Sequence, residues 1–156
     1  MASDEALAVY LNDHLGGAAA GLELAAKLGD NNQGTELGRV MVALHHDITQ
    51  DRDALEELMR HLDLDRHPVK EAAGWVLEKL SRLRLNPALT GSAELTRLLE
   101  TEGLSLGIEG KLCMWVALKE AAAGDERLAA TDFDRLIERA ASQRRALEPH
   151  RVAAAL

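Results

Sequence analysis

Apolar residues recur along most of this chain at intervals of three and four, the spacing that puts them on one face of an α-helix. Leu7, Leu11, Ala18, Leu22, Ala25 and Leu28 form the first such stripe. It predicts a helix from about Asp4 to Leu28, with Ser3 as N-cap, Asp4 and Glu5 in the first turn and Gly29 just past the end. After the loop Gly29-Asp30-Asn31-Asn32-Gln33-Gly34, a second stripe of Leu37, Met41, Leu44, Ile48, Leu55, Leu58 and Leu62 predicts a helix from about Thr35 to Leu62. Pro68 suits the first position of a shorter helix reaching about Leu83 and carrying Val69, Ala73, Val76 and Leu80. A fourth segment runs from near Ser92 to about Ala122. A fifth starts at Thr131, where Thr131 and Asp134 suggest a capping box, and continues to Glu148, with Pro149 expected to kink or end it.

Four of these segments are long and one is short. Short loops join the first pair and the last pair, so each pair reads as an antiparallel hairpin. The connection between the pairs, residues 63–91, is long enough to return along the bundle and contains the short helix. The expectation is one all-α domain over residues 1–156: a four-helix bundle with a short crossover helix between the second and third long helices, the ferritin-like arrangement. Simple up-down-up-down connectivity is the alternative.

Composition agrees. Apolar residues make up 47% of the 156, mostly Ala and Leu, and aromatics only 3%, a balance that favours helix over sheet. The formal net charge of −8 argues against a broad basic surface for nucleic acid or anionic lipid. No apolar run approaches the length needed to span a bilayer. The acidic N-terminus is unlike a secretory signal, and the single Cys113 cannot form an intrachain disulfide. These features point to a cytoplasmic protein with no nucleic-acid or membrane partner.

The stretch His45-His46-Asp47-Ile48-Thr49 followed by Asp53-Ala54-Leu55-Glu56-Glu57-Leu58 resembles the second helix of uncharacterised ferritin-like proteins. So does Lys70-Glu71-Ala72-Ala73-Gly74-Trp75 before Glu78. The resemblance implies the bundle fold and the place of a possible metal site at mid-bundle. A di-iron site of that family needs a Glu from each of two helices and a Glu-x-x-His from each of the other two. No Glu-x-x-His occurs here, so the resemblance carries over a fold and not a set of ligands.

Polar residues nevertheless fall on the apolar stripes. His14 lies between Leu11 and Ala18, and Asp51 between Ile48 and Leu55. Glu102 and Glu109 share a face with Leu95, Leu99, Leu106 and Cys113. Arg144 continues the stripe of Phe133, Leu136, Ala140 and Leu147. Antiparallel counting sets His14 opposite Asp51 and Glu109 opposite Arg144, and a ferritin-like path brings all four to one buried layer. Two buried ion pairs, His14–Asp51 and Glu109–Arg144, are the favoured reading, because buried charges are paired. The competing reading is an iron or manganese site using His14, Asp51, Glu109, Glu102 and Asp47, with an oxidoreductase or storage role. Arg144 weighs against it by supplying the positive charge a metal would bring.

Other candidates point to structure. The adjacent rings of His45 and His46 diverge by about 100° on a helix and cannot chelate one ion from one face. His61, His67 and His150 lack ligand spacing, and Cys113 reads as a small core residue. On the predicted fourth helix, Leu104, Ile108, Trp115 and Leu118 form a second apolar face. It needs cover from the crossover helix, through Trp75, or from a second subunit. Gly103 with Gly107, and Gly17 with Gly21, would permit close helix approach. The expectation is a homodimeric, non-catalytic ferritin-like protein without a di-iron centre or other cofactor. A small-ligand carrier using the bundle interior is a third class.

Overall fold

The computed structural model describes residues 3–66 and 93–155. They form four long helices, α1 (Asp4–Asn31), α2 (Glu36–His61), α3 (Ala93–Ala121) and α4 (Phe133–Ala153), with a single 3₁₀ turn at Glu126–Leu128 before α4. No strand occurs among the described residues. The expected crossover helix from Pro68 to Leu83, with Trp75 and His67, lies outside them.

The caps follow the local chemistry. Ser3 accepts from the Ala6 amide at 3.2 Å and Thr35 from the Gly38 amide at 3.1 Å. Helix α4 is capped by Asp132, which accepts from the Arg135 amide, one residue later than expected. Helix α1 runs through Gly29, because the buried Asn32 side chain donates to the Leu28 carbonyl at 2.7 Å and extends the last turn. The chain reverses at Gly34 instead, whose φ of +77° suits glycine. Pro149 neither ends α4 nor keeps it from reaching Ala153.

Hairpins α1–α2 and α3–α4 pack side by side through thinner α1–α3 and α2–α4 interfaces. Around the bundle the order is therefore α1, α2, α4, α3. Two apolar clusters fix the directions. One gathers Leu11 and Leu15 from the start of α1 with Leu58 from the end of α2, Leu118 from the end of α3 and Phe133 from the start of α4. The other joins Leu28, Met41, Leu104 and Leu147 at the opposite end. Neighbouring helices thus run antiparallel, and the diagonal pair α2 and α3 runs parallel. Arg66 and Ala93 consequently lie toward opposite ends of the bundle.

The α2 stripe is buried as expected from Leu37 to Leu62. On α3 the faces are exchanged. Leu104, Ile108, Trp115 and Leu118 form the core, while Leu106 is 73% exposed and Cys113 is exposed too. Trp115 decides this, since burying a large aromatic and three branched aliphatic side chains outweighs burying Leu99, Leu106 and a cysteine. The face that was expected to need a second subunit is covered by the other three helices. Helix α1 is rotated in the same sense: Leu15 and Leu24 enter the core, and Ala18 and Leu22 are only half-buried.

Candidate polar layer and interhelical groove

Between the two apolar clusters, Asp51 is the one buried charge of α2, with 2% of its surface exposed. Its position three residues from Ile48 and four from Leu55 sets it on the core stripe. Lys111 of α3 donates to Oδ2. Arg139 of α4 donates to Oδ1 from Nε at 2.6 Å. Gln143, one turn further along α4, donates from Nε2 to Oδ2 at 2.9 Å, and its Oε1 accepts from Lys111 at 2.5 Å. Arg139 also donates to Gln50 Oε1 at 2.8 Å. One carboxylate thus meets two cations and an amide. Burial pushes the Lys111 amine below its usual value, a shift the Asp51 charge and hydrogen bond oppose.

Of the expected layer, only Asp51 occupies its place. His14 does not pair with it. The imidazole lies half-buried on the α1–α3 side, edge-on to Tyr10 with ring centroids 4.7 Å apart. Burial pulls its pKa down, and nearby Asp13 offsets that only in part. The rotation of α1 that sends Leu15 inward turns His14 toward this side. Arg144 does bond Glu109, at 2.5 Å, but their side chains are 46% and 43% exposed, so the pair lies at the surface. Glu102 accepts from Arg151 at 3.2 Å. Asp47 lies beside His46, at 3.5 Å. Among the described residues no group of three His, Cys, Asp or Glu side chains could hold a metal ion. The arrangement proposed for one, through His14, Asp51, Glu109, Glu102 and Asp47, is not brought together.

The residues missed are Lys111, Arg139 and Gln143. Their signal was present in the spacing. Lys111 falls at the i+3 step of the stripe Leu104-Ile108-Trp115-Leu118. Gln143 falls between Ala140 and Leu147 on the stripe of α4, one residue before Arg144. Assigning the wrong face of α3 to the core hid Lys111, and looking for charge alone hid Gln143.

A groove of about 450 Å³ opens between α1 and α3 and is floored by α2. Gly17, Ala18 and Gly21 form one wall and Gly103, Leu106 and Gly107 the other. The glycines were expected to bring helices close. Instead, a Cβ built at Gly17, Gly21 or Gly107 meets nothing within 4 Å among the described residues. They leave an open lane. Trp115 lines one end of it and is fully buried, and among the described residues its indole N–H has no hydrogen-bond partner.

No family model, curated protein or solved structure matches this chain. No helix among the described residues is long and apolar enough to cross a membrane.

Proposed function

We propose that this chain is a non-catalytic, cytoplasmic, ferritin-like helical-bundle protein that binds a small, mostly apolar ligand in the groove between α1 and α3. The observation that carries this reading is the glycine-walled lane itself. It has the volume of a small-molecule site, it is lined mainly by apolar side chains, and its walls lack the side chains that would close it. The parallel run of α2 and α3 supports the ferritin-like path. The acidic groups once considered as metal ligands are engaged elsewhere: Asp51 by Lys111 and Arg139, Glu109 by Arg144, Glu102 by Arg151. A fixed cation at each carboxylate repels the iron or manganese ion that the alternative needs.

A homodimer belongs to this reading. Leu106 and Val116 on α3 and Val9 and Tyr10 on α1 leave apolar surface exposed, and burying such surface drives association.

The test is binding of the neutral apolar dye N-phenyl-1-naphthylamine, followed by its fluorescence. Saturable binding at one dye per chain is expected, weakened at least about tenfold in Gly107→Leu, whose side chain would enter the lane. Equal binding by that variant overturns the reading. Stoichiometric iron or manganese in the purified protein would overturn it in favour of a metal protein.

A further inference from the structure

The groove is not uniform along its length. From Leu99 to Trp115 the α3 wall rises about 24 Å, at about 1.5 Å per residue. Toward the Leu99 end, the floor and walls are Leu24, Ile48, Leu104 and Ile108 with the glycines between them. Glu102 also reaches this end, and Arg151 engages it. The polar residues gather within about one turn of the other end: His14, Asp51, Arg52, Lys111 and Trp115. A site apolar along one stretch and polar at one end fits an amphiphile.

The sign of the headgroup follows from the donors. Among the described residues Asp51 is the only carboxylate lining the polar end, and it already accepts from Lys111, Arg139 and Gln143. It balances one of the two cations it holds, and Asp47, whose charge also acts on Lys111, is 39% exposed and screened by water, so the polar end stays net positive. Lys111 has three N–H donors, and Asp51 and Gln143 take two. One unspent Lys111 donor and an excess of positive charge therefore lie at the same end. A carboxylate offers two acceptor oxygens and one negative charge. At roughly 30 Å³ per water-sized group, about 15 non-hydrogen atoms fill the groove, close to the size of dodecanoate.

We propose that the groove takes a medium-chain carboxylate, its headgroup on the Lys111 amine and its hydrocarbon tail in the lane past Gly107 and Gly21. The proposal rests on the groove reading above and adds the class of ligand.

The test uses the full chain and displacement of N-phenyl-1-naphthylamine by dodecanoate, below its micelle concentration, or by dodecanol. Dodecanoate should displace the dye at about tenfold lower concentration than dodecanol, the factor a charge-assisted hydrogen bond supplies. In Lys111→Met that ratio should fall to about one. Circular dichroism reports whether this variant folds, and Lys111→Arg, which keeps the charge and its donors, provides an independent reading in which the ratio should stay near tenfold. Equal displacement by acid and alcohol in the wild type overturns the carboxylate while leaving the groove standing. So does a ratio that Lys111→Met leaves unchanged. Failure of the dye itself to bind removes the groove reading and the proposal together.

Discussion

Arg139 and Asp51 join the middle of α4 to the middle of α2, with Nε 2.6 Å from Oδ1. Lys111 holds the other carboxylate oxygen from α3, so three helices meet on one aspartate. Such a contact fixes register more than it adds stability, because desolvation offsets much of the attraction.

Asp51→Leu should therefore destabilise strongly, by about 3 to 5 kcal/mol, since it strands two cations whose side chains are only 13% and 16% exposed. Asp51→Leu combined with Lys111→Met and Arg139→Met should recover most of the loss. Urea denaturation measures both. A single substitution costing under about 1 kcal/mol would show that the aspartate is solvated.

Arg144→Ala should behave differently. Its partner Glu109 is at 2.5 Å, yet both side chains are nearly half exposed, and water screens such a pair. The expected cost is within about 1 kcal/mol. A loss of the size predicted for Asp51, read from the same urea curves, would place the pair in the interior after all.

The two outcomes show what the sequence made legible. The helices, the hairpins and the parallel run of α2 and α3 followed from apolar spacing and loop length. So did the α2 core face and the buried Asp51, because α2 carries a single apolar stripe. Helix α3 carries two, and periodicity alone does not say which is buried. Choosing the one with Leu99 and Leu106 sent Glu109 and, through antiparallel counting, Arg144 into a layer they do not occupy, and Glu102 onto a face that is not buried. The volume of Trp115 was the deciding term. The groove was not legible either, because a Gly-x-x-x-Gly spacing fits close packing and open space equally well.

His14 gives the fold a pH dependence. Its folded pKa lies below the ordinary 6.5, mainly through burial. The unfolded chain therefore takes up this proton before the folded chain does. The associated stability is present above pH 6.5 and is lost as pH falls through the folded value. Tyr10 packs on the ring, Asp13 pulls the other way, and Arg52 and Lys111 line the same groove. In His14→Gln the fall in urea midpoint between about pH 7.5 and pH 5.5 should be smaller than in the wild type. Identical slopes in the two proteins would show that His14 titrates alike folded and unfolded.

Leu106 tests assembly. At 73% exposure it is the most exposed large apolar side chain among the described residues. If it lies in a dimer interface, Leu106→Glu buries a charge there and should shift the mass measured by light scattering from two chains to one. A wild-type mass of one chain at micromolar concentration would remove the dimer.

Glycines of the same sequence type should respond in opposite directions. Gly38 begins α2 against the preceding loop, and a Cβ there would lie 2.2 Å from the Asn32 carbonyl oxygen and 3.0 Å from its carbon. These are backbone atoms, and the Thr35 hydroxyl, which accepts from the Gly38 amide, also donates to that carbonyl oxygen at 2.7 Å. The loop has no flexible side-chain end to move aside, so Gly38→Ala must displace the turn that joins α1 to α2. It should cost more than the roughly 1 kcal/mol typical of a point substitution. Gly17 and Gly21 are interior positions of α1 with open space around the Cβ. There alanine restricts the unfolded chain and suits the helix, so each substitution should stabilise by about 0.5 to 1 kcal/mol. Thermal melts of the three variants decide it: a lower midpoint for Gly38→Ala and higher ones for Gly17→Ala and Gly21→Ala. Loss of stability at Gly17 or Gly21 would mean that α1 and α3 approach closely there, and the lane between them would be closed.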